Sequence, residues 1–423
     1  MCPGANIRLP AEARLPYDVT VLRAVVLALL ALAPSAARAE PPAASVEHPQ
    51  ALQRFFQALG RLESTGAGTV RVLQFGDSHT AADHQTAAAR RALQARFGDA
   101  GRGMLYVGLP YPTYAPEEGV KAGMTHGWRA EPARRRGGDG RYGLGGTALE
   151  SSTRGARAWL EPGAPAGRLE LGYLKQAGGG SFEVWVDGER RMQLSSRAEG
   201  PQSAWEVLPL AGPARAVEVR LEGDGEVRLF GAALERSAPG LVYDSLGING
   251  ARASVLLEWD EAHLAEQLAH RSPDLVVLAY GTNESGDRAT GEARERQLAA
   301  VLERVARAVP QAACLVLGPP DRGTPGPKGW TTLPALLEVI AAQRRAAEAA
   351  GCAYFSQFDA MGGEGSMASW ARQSPPLAAR DRVHLSKEGY AQLGGAFARG
   401  LVRAYETWHG AQAGTARRGS GAQ

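Results

Sequence analysis

Residues 147–238 contain no convincing helical pattern, whereas the segments on both sides of them alternate between helix and strand patterns. Within this stretch, short alternating runs are separated by Gly, Asp and Pro. Asp-Gly pairs in "VDGE" (186–189) and "EGDGE" (222–226) are strong hairpin signals. Regular short strands with turns between them predict a β-sandwich or jelly roll. The chain therefore combines an all-β segment with a different kind of domain around it.

The flanking segments predict a three-layer α/β domain. Strand patterns at 69–77 and 273–284 are followed by helical patterns at 80–97 and 291–308. Strands that alternate with helices imply a parallel sheet that is covered on both faces. Because the alternation resumes after the β segment, we expect the β domain to be inserted into the α/β domain.

The changes of pattern give the predicted boundaries. We expect a signal peptide, the first part of the α/β domain, the inserted β domain, the second part of the α/β domain and a disordered tail. These segments are 1–39, 40–146, 147–238, 239–408 and 409–423, respectively. The tail prediction rests on a composition of Gly, Ala, Ser and Arg.

The first residues have the features of a secretory signal peptide. Arg23 precedes the apolar run "AVVLALLALAP", and "AARA" (36–39) places small residues before Glu40. We expect cleavage after Ala39 and export to the periplasm or the cell envelope, and the apolar run is too short to cross a bilayer. This segment holds four arginines and two acidic residues, so its removal lowers the net charge from +3 to +1. A nearly neutral chain gives no reason to expect nucleic acid as a partner.

Cys314 and Cys352 are the cysteines that remain after this cleavage. Each begins a strand-like run, so two neighbouring parallel strands could bring them together. An exported protein permits a disulfide between them. The sequence leaves open whether they form that disulfide or stay two buried free thiols.

The stretch "VLQFGDSHTAAD" (72–83) ends a hydrophobic run at Gly-Asp-Ser-His and then begins a helical pattern. Asp77 and Ser78 are both residue types favoured at helix N-caps, and capping would explain their presence without a catalytic role. Alternatively, Ser78 is a nucleophile at the mouth of the sheet, where its backbone N–H can also bind an oxyanion. This stretch alone does not decide between the two interpretations.

Two further polar clusters lie where an open parallel sheet binds ligands, at the carboxyl ends of strands. Residues 281–284 (Gly-Thr-Asn-Glu) end one strand pattern, and Asp381 precedes His384 by three residues, just before the last helical pattern. At that spacing the carboxylate can hold one ring nitrogen and leave the other free to take a proton from a serine hydroxyl. His263 and His270 fall within a helical pattern and are expected at the surface. No grouping of His, Cys and Asp has metal-ligand spacing, so no metal site is predicted.

In this order, "FGDSH", "GINGA", "GTNE" and "DRVH" resemble the four blocks of the SGNH (GDSL-type) hydrolase superfamily. The blocks together span the α/β part of the chain. The resemblance implies a flavodoxin-like parallel sheet and a serine esterase. It also implies that Ser78 is the nucleophile, that His384 is the general base and that Asp381 orients this base.

The same resemblance implies an oxyanion hole with three donors. These are the backbone N–H of Ser78, the backbone N–H of Gly250 and the side-chain amide of Asn283. Gly250 is preferred to Gly247 because the family's glycine usually follows the small polar residue of its block.

Two departures from the common pattern narrow the resemblance. His79 stands where GDSL has Leu, and Glu284 stands where Asp usually follows the block-three Asn. Both departures, and the inserted β segment, are similar to the bacterial peptidoglycan O-acetylesterase branch, in which the inserted domain looks like a carbohydrate-binding module. The resemblance implies an exported esterase that removes O-acetyl groups from a cell-envelope glycan. Peptidoglycan is the first candidate for that glycan, and no cofactor is expected. Trp185 and Trp205 of the β segment either stack on sugar rings or pack inside the sandwich.

Other functions fit the same residues. An O-acetyltransferase would use the same triad with a sugar hydroxyl as the acceptor, and an SGNH lipase or lysophospholipase would prefer long acyl chains. The non-enzyme alternative is a glycan-binding protein, against which the intact Ser78, Asp381 and His384 argue.

Overall fold

A computed structural model of the protein describes residues 44–133 and 137–420. Strands and helices follow the predicted alternation along most of these residues. The predicted signal peptide, residues 1–39, lies outside the described residues. The strands are β1 (Val46–Glu47), β2 (Thr69–Gly76), β3 (Gly101–Leu105), β4 (Lys121–Met124), β5 (Arg129–Pro132), β6 (Thr147–Ser151), β7 (Arg157–Glu161), β8 (Ala166–Lys175), β9 (Ser181–Val186), β10 (Glu189–Ser195), β11 (Gln202–Ala214), β12 (Val217–Leu221), β13 (Val227–Glu235), β14 (Gly240–Gly247), β15 (Leu275–Ala279), β16 (Ala313–Gly318), β17 (Gly323–Gly326), β18 (Gly329–Thr332) and β19 (Ala353–Ser356). The helices are α1 (Gln53–Thr65), α2 (Ser78–Ala81), α3 (His84–Phe97), α4 (Glu261–Arg271), α5 (Gly291–Ala308), α6 (Pro334–Ala349), α7 (Gln357–Met361), α8 (Ser366–Trp370) and α9 (Lys387–Ser420).

The α/β domain is built on a six-stranded sheet with the order β1-β19-β16-β15-β2-β14. Its strands are parallel, apart from β1, which pairs antiparallel with β19 at one edge. All five residues of β15 are buried, as expected for a strand that is covered on both faces of a parallel sheet. The residues that end β2 and β15 therefore reach the same edge of the sheet.

Helices cover both faces of this sheet and bury its apolar side chains. On one face α1, α3 and α9 supply core residues such as Phe56, Leu93 and Phe397. On the other face α4, α5 and α6 supply residues such as Leu268 and Val301. This three-layer arrangement confirms the α/β prediction.

The β domain is a sandwich of two antiparallel sheets. Their orders are β10-β9-β12-β7-β4 and β11-β8-β13-β6-β5, and β3 pairs with β13. Leu171 and Val184 face each other's sheet within one apolar core. The sandwich takes in β3, β4 and β5, so it begins before the predicted boundary at 147. Their short strands lie in a stretch rich in Gly, Pro and Arg, where four or five residues give too little periodicity to indicate a strand.

A buried ion-pair cluster joins the sandwich to the α/β domain. Arg271 at the end of α4 lies 2.7 Å from Asp244 on β14 and 2.6 Å from Glu235 on β13. The two histidines of the same helix also face this interface. His263 is 5 % exposed and its Nε2 lies 2.8 Å from the carbonyl oxygen of Tyr142, so the surface location predicted for it is wrong. Side chains from the inserted domain cover a helix that would otherwise face solvent.

Two further expectations concern the last part of the chain. Cys314 and Cys352 form a disulfide with a Cα–Cα distance of 5.0 Å, because β16 and β19 are neighbours. The structure also continues α9 to Ser420, where a disordered tail was predicted from 409. Ala and Arg in this segment favour a helix, and the prediction gave more weight to its glycines and serines.

Candidate functional site

Ser78 is the first residue of α2, directly after β2 and the cap residue Asp77. The Asp77 carboxyl group accepts the backbone N–H of His79 at 2.9 Å through Oδ1, so Asp77 caps the helix as its residue type suggests. Gly76 allows this sharp turn, because a Cβ there would lie 2.1 Å from Thr80 Oγ1 and 2.8 Å from the carbonyl oxygen of Ala279. The cap role belongs to Asp77, and the Ser78 hydroxyl is left for another partner.

That partner is His384. Ser78 Oγ lies 2.9 Å from His384 Nε2, and His384 Nδ1 lies 2.7 Å from Asp381 Oδ2. The other carboxylate oxygen, Asp381 Oδ1, accepts the backbone N–H groups of Val383 and His384 at 3.0 Å each. The structure thus brings together all three residues predicted as a triad, and their catalytic roles stay a prediction.

Asp381 is ionised at neutral pH, as a carboxylate that orients a histidine must be. Partial burial alone would raise its pKa, but hydrogen bonds from the His384 ring and from the two backbone N–H groups outweigh it and lower the pKa to about 2. At neutral pH the ionised Asp381 therefore holds a proton on His384 Nδ1. Nε2 is then the lone-pair nitrogen that faces the Ser78 hydroxyl, as proton transfer from Ser78 requires.

Asn283 follows β15 at the same edge of the sheet. Its Nδ2 donates to the carbonyl oxygen of Ala251 at 2.8 Å and lies 3.4 Å from Asp77 Oδ2. The first contact fixes the amide between two loops. The second is long, so the N–H that faces Asp77 is the one available to an oxyanion.

The two glycines considered for the oxyanion hole have different surroundings. A Cβ on Gly247 would lie 2.1 Å from the backbone nitrogen of Ala81, so this glycine permits β14 to contact α2. Gly250 has φ +75° in the following turn, and nothing lies within 4 Å of its would-be Cβ. Gly247 thus has a packing role of its own, and the choice of Gly250 as the donor stays a prediction.

Glu284 links the two loops that carry Asn283 and Gly250. Its Oε1 accepts the N–H of Ala253 at 2.8 Å and its Oε2 accepts the N–H of Gly281 at 3.0 Å. The side chain is buried, and burial raises its pKa despite these hydrogen bonds. The sequence placed Glu284 in the polar cluster 281–284 and showed it as a departure from the family pattern, but it indicated no role for this side chain. The available signal was an acidic residue in the short polar segment that follows the buried strand β15.

Asp77 is a second buried carboxyl group beside Asn283. Burial, and to a smaller extent the neighbouring Glu284, raise the pKa of Asp77 to about 8. The group is therefore largely neutral at pH 7, which keeps a negative charge away from the place where the oxyanion would form.

His79 lies behind the triad. Its Nδ1 lies 2.8 Å from the hydroxyl of Tyr390 on α9, and its ring centroid lies 5.3 Å from that of His384. Burial, and secondly the charge that His384 can carry, lower the pKa of His79 to about 3, so its ring is neutral. His79 and Tyr390 thus connect the helix of Ser78 to the segment that follows His384. Tyr390 was missed because nothing in its local sequence pattern shows a partner 311 residues away.

Both tryptophans singled out in the β domain have partners. The guanidinium carbon of Arg220 lies 3.7 Å from the Trp185 ring centroid, and Trp185 Nε1 donates to Glu183 at 2.8 Å. Trp205 stacks on His270 with 3.8 Å between ring centroids. Trp205 therefore packs at the interface with α4.

Two further features, a metal-binding cluster and a membrane-spanning helix, are absent from the described parts of the chain. No group of three or more His, Cys, Asp or Glu residues there could hold a metal ion. None of the helices there is sufficiently long and apolar to cross a membrane.

Comparison with known proteins gives a family match and a structural match. Residues 211–392 match the model of the GDSL-like lipase/acylhydrolase family, a range that includes Asn283, Asp381 and His384 but not Ser78. No curated protein sequence matches the chain significantly.

Among solved structures, a peptidoglycan O-acetylesterase matches with a TM-score of 0.73 and 26 % identity, over 85 % of this chain and 99 % of that one. A family two carbohydrate esterase from Clostridium thermocellum matches with a TM-score of 0.28 and 13 % identity, over 64 % and 97 % of the two chains. A salicylyl-acyltransferase of a tetracycline biosynthetic pathway matches with a TM-score of 0.33 and 13 % identity, over 72 % and 98 %.

Proposed function

We propose a specific activity from one premise: this chain is an ester-bond hydrolase, with the SGNH hydrolase fold and a GDSL-like lipase/acylhydrolase domain. The proposed activity is removal of O-acetyl groups from a cell-envelope glycan, with peptidoglycan as the substrate. The observation that carries it is the hydrogen-bonded series from Ser78 through His384 to Asp381, in a chain that matches nearly the whole length of a peptidoglycan O-acetylesterase.

The reaction proceeds in two steps through an acyl-enzyme. His384 Nε2 takes the hydroxyl proton while Ser78 Oγ attacks the acetyl carbonyl carbon, and an oxyanion forms on the carbonyl oxygen. The backbone N–H groups of Ser78 and Gly250 and the amide of Asn283 donate to that oxyanion. The proton then passes from His384 to the departing sugar oxygen, and Ser78 is left acetylated.

Water completes the cycle through the same residues. His384 takes a proton from a water molecule as its oxygen attacks the acetyl-serine carbonyl, and it returns a proton to Ser78 Oγ as acetate leaves. No step requires a cofactor. A sugar hydroxyl in place of water would make the same site an O-acetyltransferase.

Acetate release from purified O-acetylated peptidoglycan tests the proposal. We expect the wild-type protein to release acetate and the Ser78→Ala variant to release none. If acetyl groups move to added chitooligosaccharide instead, the site is a transferase. Faster cleavage of octanoyl than of acetyl esters would point to a lipase and contradict the glycan proposal.

Export is part of the same proposal. A peptidoglycan substrate lies outside the cytoplasm, and the bridged pair Cys314–Cys352 is compatible with an oxidising compartment. We expect the protein in the periplasmic fraction with Glu40 as its first residue. N-terminal sequencing of that fraction checks this, and recovery of an uncleaved chain from the cytoplasm would contradict it.

A further inference from the structure

Trp330 is a large apolar side chain whose exposure the fold does not explain. Among the described residues, Val207 and Trp330 are the large hydrophobic side chains left exposed, and Trp330 is 43 % exposed. It lies on β18, which pairs only with β17 in a two-stranded hairpin. The hairpin extends no other sheet, so the core gives no reason for an aromatic ring here.

The base of this hairpin is bonded to the loop that carries Asn283. Arg322, the residue before β17, donates from Nη1 to the carbonyl oxygen of Thr282 at 2.8 Å and to Ser285 Oγ at 3.0 Å. These two acceptors lie on either side of Asn283 in the sequence. The hairpin therefore begins beside the amide that we assign to the oxyanion hole.

The hairpin is also bonded to the loop that carries His384. Gly323 donates its N–H to the carbonyl oxygen of Arg382 at 2.7 Å, and Arg382 stands between Asp381 and His384 in the sequence. Two residues span at most about 7 Å of chain, so this contact lies close to the general base. The hairpin thus stands at the rim of the site, against both loops.

The Trp330 ring is packed against that second loop. The guanidinium carbon of Arg382 lies 5.7 Å from the ring centroid. A Cβ on Gly323 would lie 2.8 Å from Arg382 Cβ and 3.2 Å from the Trp330 ring, so glycine allows the three residues to meet. Arg382 and the hairpin fix the ring from one side and still leave it substantially exposed.

Positive charge accompanies this exposed ring. Lys328, in the turn of the hairpin, is exposed, and Arg382 lies beside the ring. Neither side chain has a carboxylate partner among the described residues. Arg382 also donates from Nη1 to the carbonyl oxygen of Ala379 at 2.7 Å, so its charge is held without a carboxylate. An exposed ring with one such cation beside it and a second cation two residues away in the same hairpin suits a ligand that has both flat C–H surface and carboxylate groups.

We propose that Trp330 is a platform on which a sugar ring of an anionic glycan stacks next to the acetylated residue, with Lys328 and Arg382 facing its carboxylates. The inference rests on the proposed function and names the part of the substrate that the site recognises. An acetyl group offers only two carbons for recognition, and one methylene is worth only about 1–3 kcal/mol, so discrimination has to come from the alcohol side. In the sandwich, Arg220 lies 3.7 Å from the Trp185 centroid and His270 stacks on Trp205 at 3.8 Å. Arg382 lies farther from the Trp330 centroid, at 5.7 Å, and the Trp330 ring stays 43 % exposed.

The test compares two substrates across matched variants. We would measure kcat and KM on O-acetylated peptidoglycan and on 4-nitrophenyl acetate for the wild type, Trp330→Ala, Trp330→Phe and the control Trp185→Ala. We expect Trp330→Ala to lower the ratio of the glycan kcat/KM to the small-ester kcat/KM about tenfold, through a higher glycan KM, which corresponds to about 1.4 kcal/mol. Trp330→Phe keeps a ring and should lose less, and Trp185→Ala should keep the wild-type ratio.

The charge part of the proposal has its own variant. We expect Lys328→Ala to raise the glycan KM, and added salt to raise that KM in the wild type, since screening weakens contacts between exposed charges. If the glycan KM is the same at low and high salt, the anionic character of the ligand is contradicted.

Several results would overturn the platform. A wild-type ratio in Trp330→Ala contradicts it, and so does a lower ratio in Trp185→Ala alone, which would place recognition on the sandwich. Equal loss on both substrates in folded Trp330→Ala would show that the ring only supports the His384 loop. If the wild type cleaves 4-nitrophenyl acetate but no O-acetylated peptidoglycan, the proposed function fails and the platform fails with it.

A binding measurement does not depend on the alanine variant folding. In the Ser78→Ala protein, titration with O-acetylated peptidoglycan strands should shift the indole N–H resonance of Trp330 and leave that of Trp185 in place. A shift of the Trp185 resonance alone would contradict the proposal.

Discussion

Ser78 Oγ and His384 Nε2 lie 2.9 Å apart although 306 residues separate them in the sequence. The contact exists because β2 places Ser78 at the carboxyl edge of the sheet, and because α9 begins just after the segment that carries His384. The sandwich strands β3 to β13 all lie between the two residues in the sequence. Both residues that carry out the proposed chemistry therefore belong to the α/β domain.

Removal of either member of this pair should abolish ester hydrolysis. We expect Ser78→Ala and His384→Ala each to lower kcat by roughly 10⁴-fold or more, since triad members act as a unit. Neither side chain belongs to the core, so both variants should fold. The check is the initial rate on 4-nitrophenyl acetate with circular dichroism as the control, and activity above a tenth of the wild type in folded Ser78→Ala would contradict the assignment.

Asn283→Ala should lower kcat by roughly 10²–10³-fold, the usual effect of losing one oxyanion-hole donor. KM should change far less, because the charge on the carbonyl oxygen develops only in the transition state. Steady-state kinetics on the small ester separate the two constants. If KM rises while kcat holds, Asn283 binds substrate and does not stabilise the oxyanion.

Glu284 should act through the loops that it joins. Glu284→Gln replaces one acceptor oxygen with an N–H₂ group, so the N–H of Ala253 or that of Gly281 loses its partner, and an unmet buried hydrogen bond costs about 1–3 kcal/mol. We expect a lower free energy of unfolding in urea together with a lower kcat and a similar KM. A loss of stability with wild-type kcat would show that Glu284 has no part in positioning Asn283.

His79 and Tyr390 should be coupled in a double-mutant cycle. His79→Leu leaves the Tyr390 hydroxyl buried without its partner, and Tyr390→Phe does the same to His79 Nδ1, so each should cost about 1–3 kcal/mol of stability. The double variant replaces both with apolar groups and should cost less than the sum. Additive losses, measured by urea unfolding, would show that the hydrogen bond does not connect the two helices.

The same variant has a defined pH signature. The folded-state pKa of His79 is about 3 and its ordinary value is 6.5, so below pH 6.5 the unfolded chain takes up a proton that the folded chain does not. His79 therefore lowers stability as pH falls from about 6.5 towards 3, by at most about 1.4 kcal/mol per pH unit. We expect the stability lost between pH 6.5 and pH 5 to be smaller in His79→Leu than in the wild type. An equal loss would contradict a buried neutral His79.

The sequence predicted those features of the fold and of the site that depend on local residue spacing and on the ends of strands. The SGNH resemblance and the fold are confirmed, and Ser78, Asn283 and the pair Asp381 and His384 do lie at one edge of the sheet. Asp381 and His384 were accessible because three residues of separation suffice to make their contact.

Contacts between segments that are far apart in the sequence could not be predicted from local spacing. Tyr390 and Trp330 have unremarkable local patterns, and their positions become meaningful only when α9 and the β17–β18 hairpin are placed beside α2 and the His384 loop. Strand β3 was missed for a similar reason, since its five residues join the sandwich only by pairing with β13, more than a hundred residues later.

Asp77 should limit activity at alkaline pH. Burial and the neighbouring Glu284 raise the pKa of Asp77 to about 8. The carboxyl group is therefore largely neutral at pH 7 and ionises as the pH rises past about 8. The new carboxylate would lie 3.4 Å from Asn283 Nδ2, where it competes for the N–H that we assign to the oxyanion and repels the negative charge that forms there. We expect kcat on a small acetyl ester to fall above pH about 8 after correction for spontaneous hydrolysis.

Asp77→Asn is the matched variant for that fall. The asparagine has nearly the same shape, still accepts the N–H of His79 through its oxygen, and does not ionise. Its kcat should therefore hold to higher pH than that of the wild type, even if its value at pH 7 is lower. Stability gives a second readout: the unfolded chain loses the Asp77 proton near pH 3.8 and the folded chain keeps it to about 8, so Asp77 lowers stability as pH rises between these values and Asn should remove that slope. If the alkaline limb and the slope are both unchanged in Asp77→Asn, another group titrates there and the neutral Asp77 assignment is wrong.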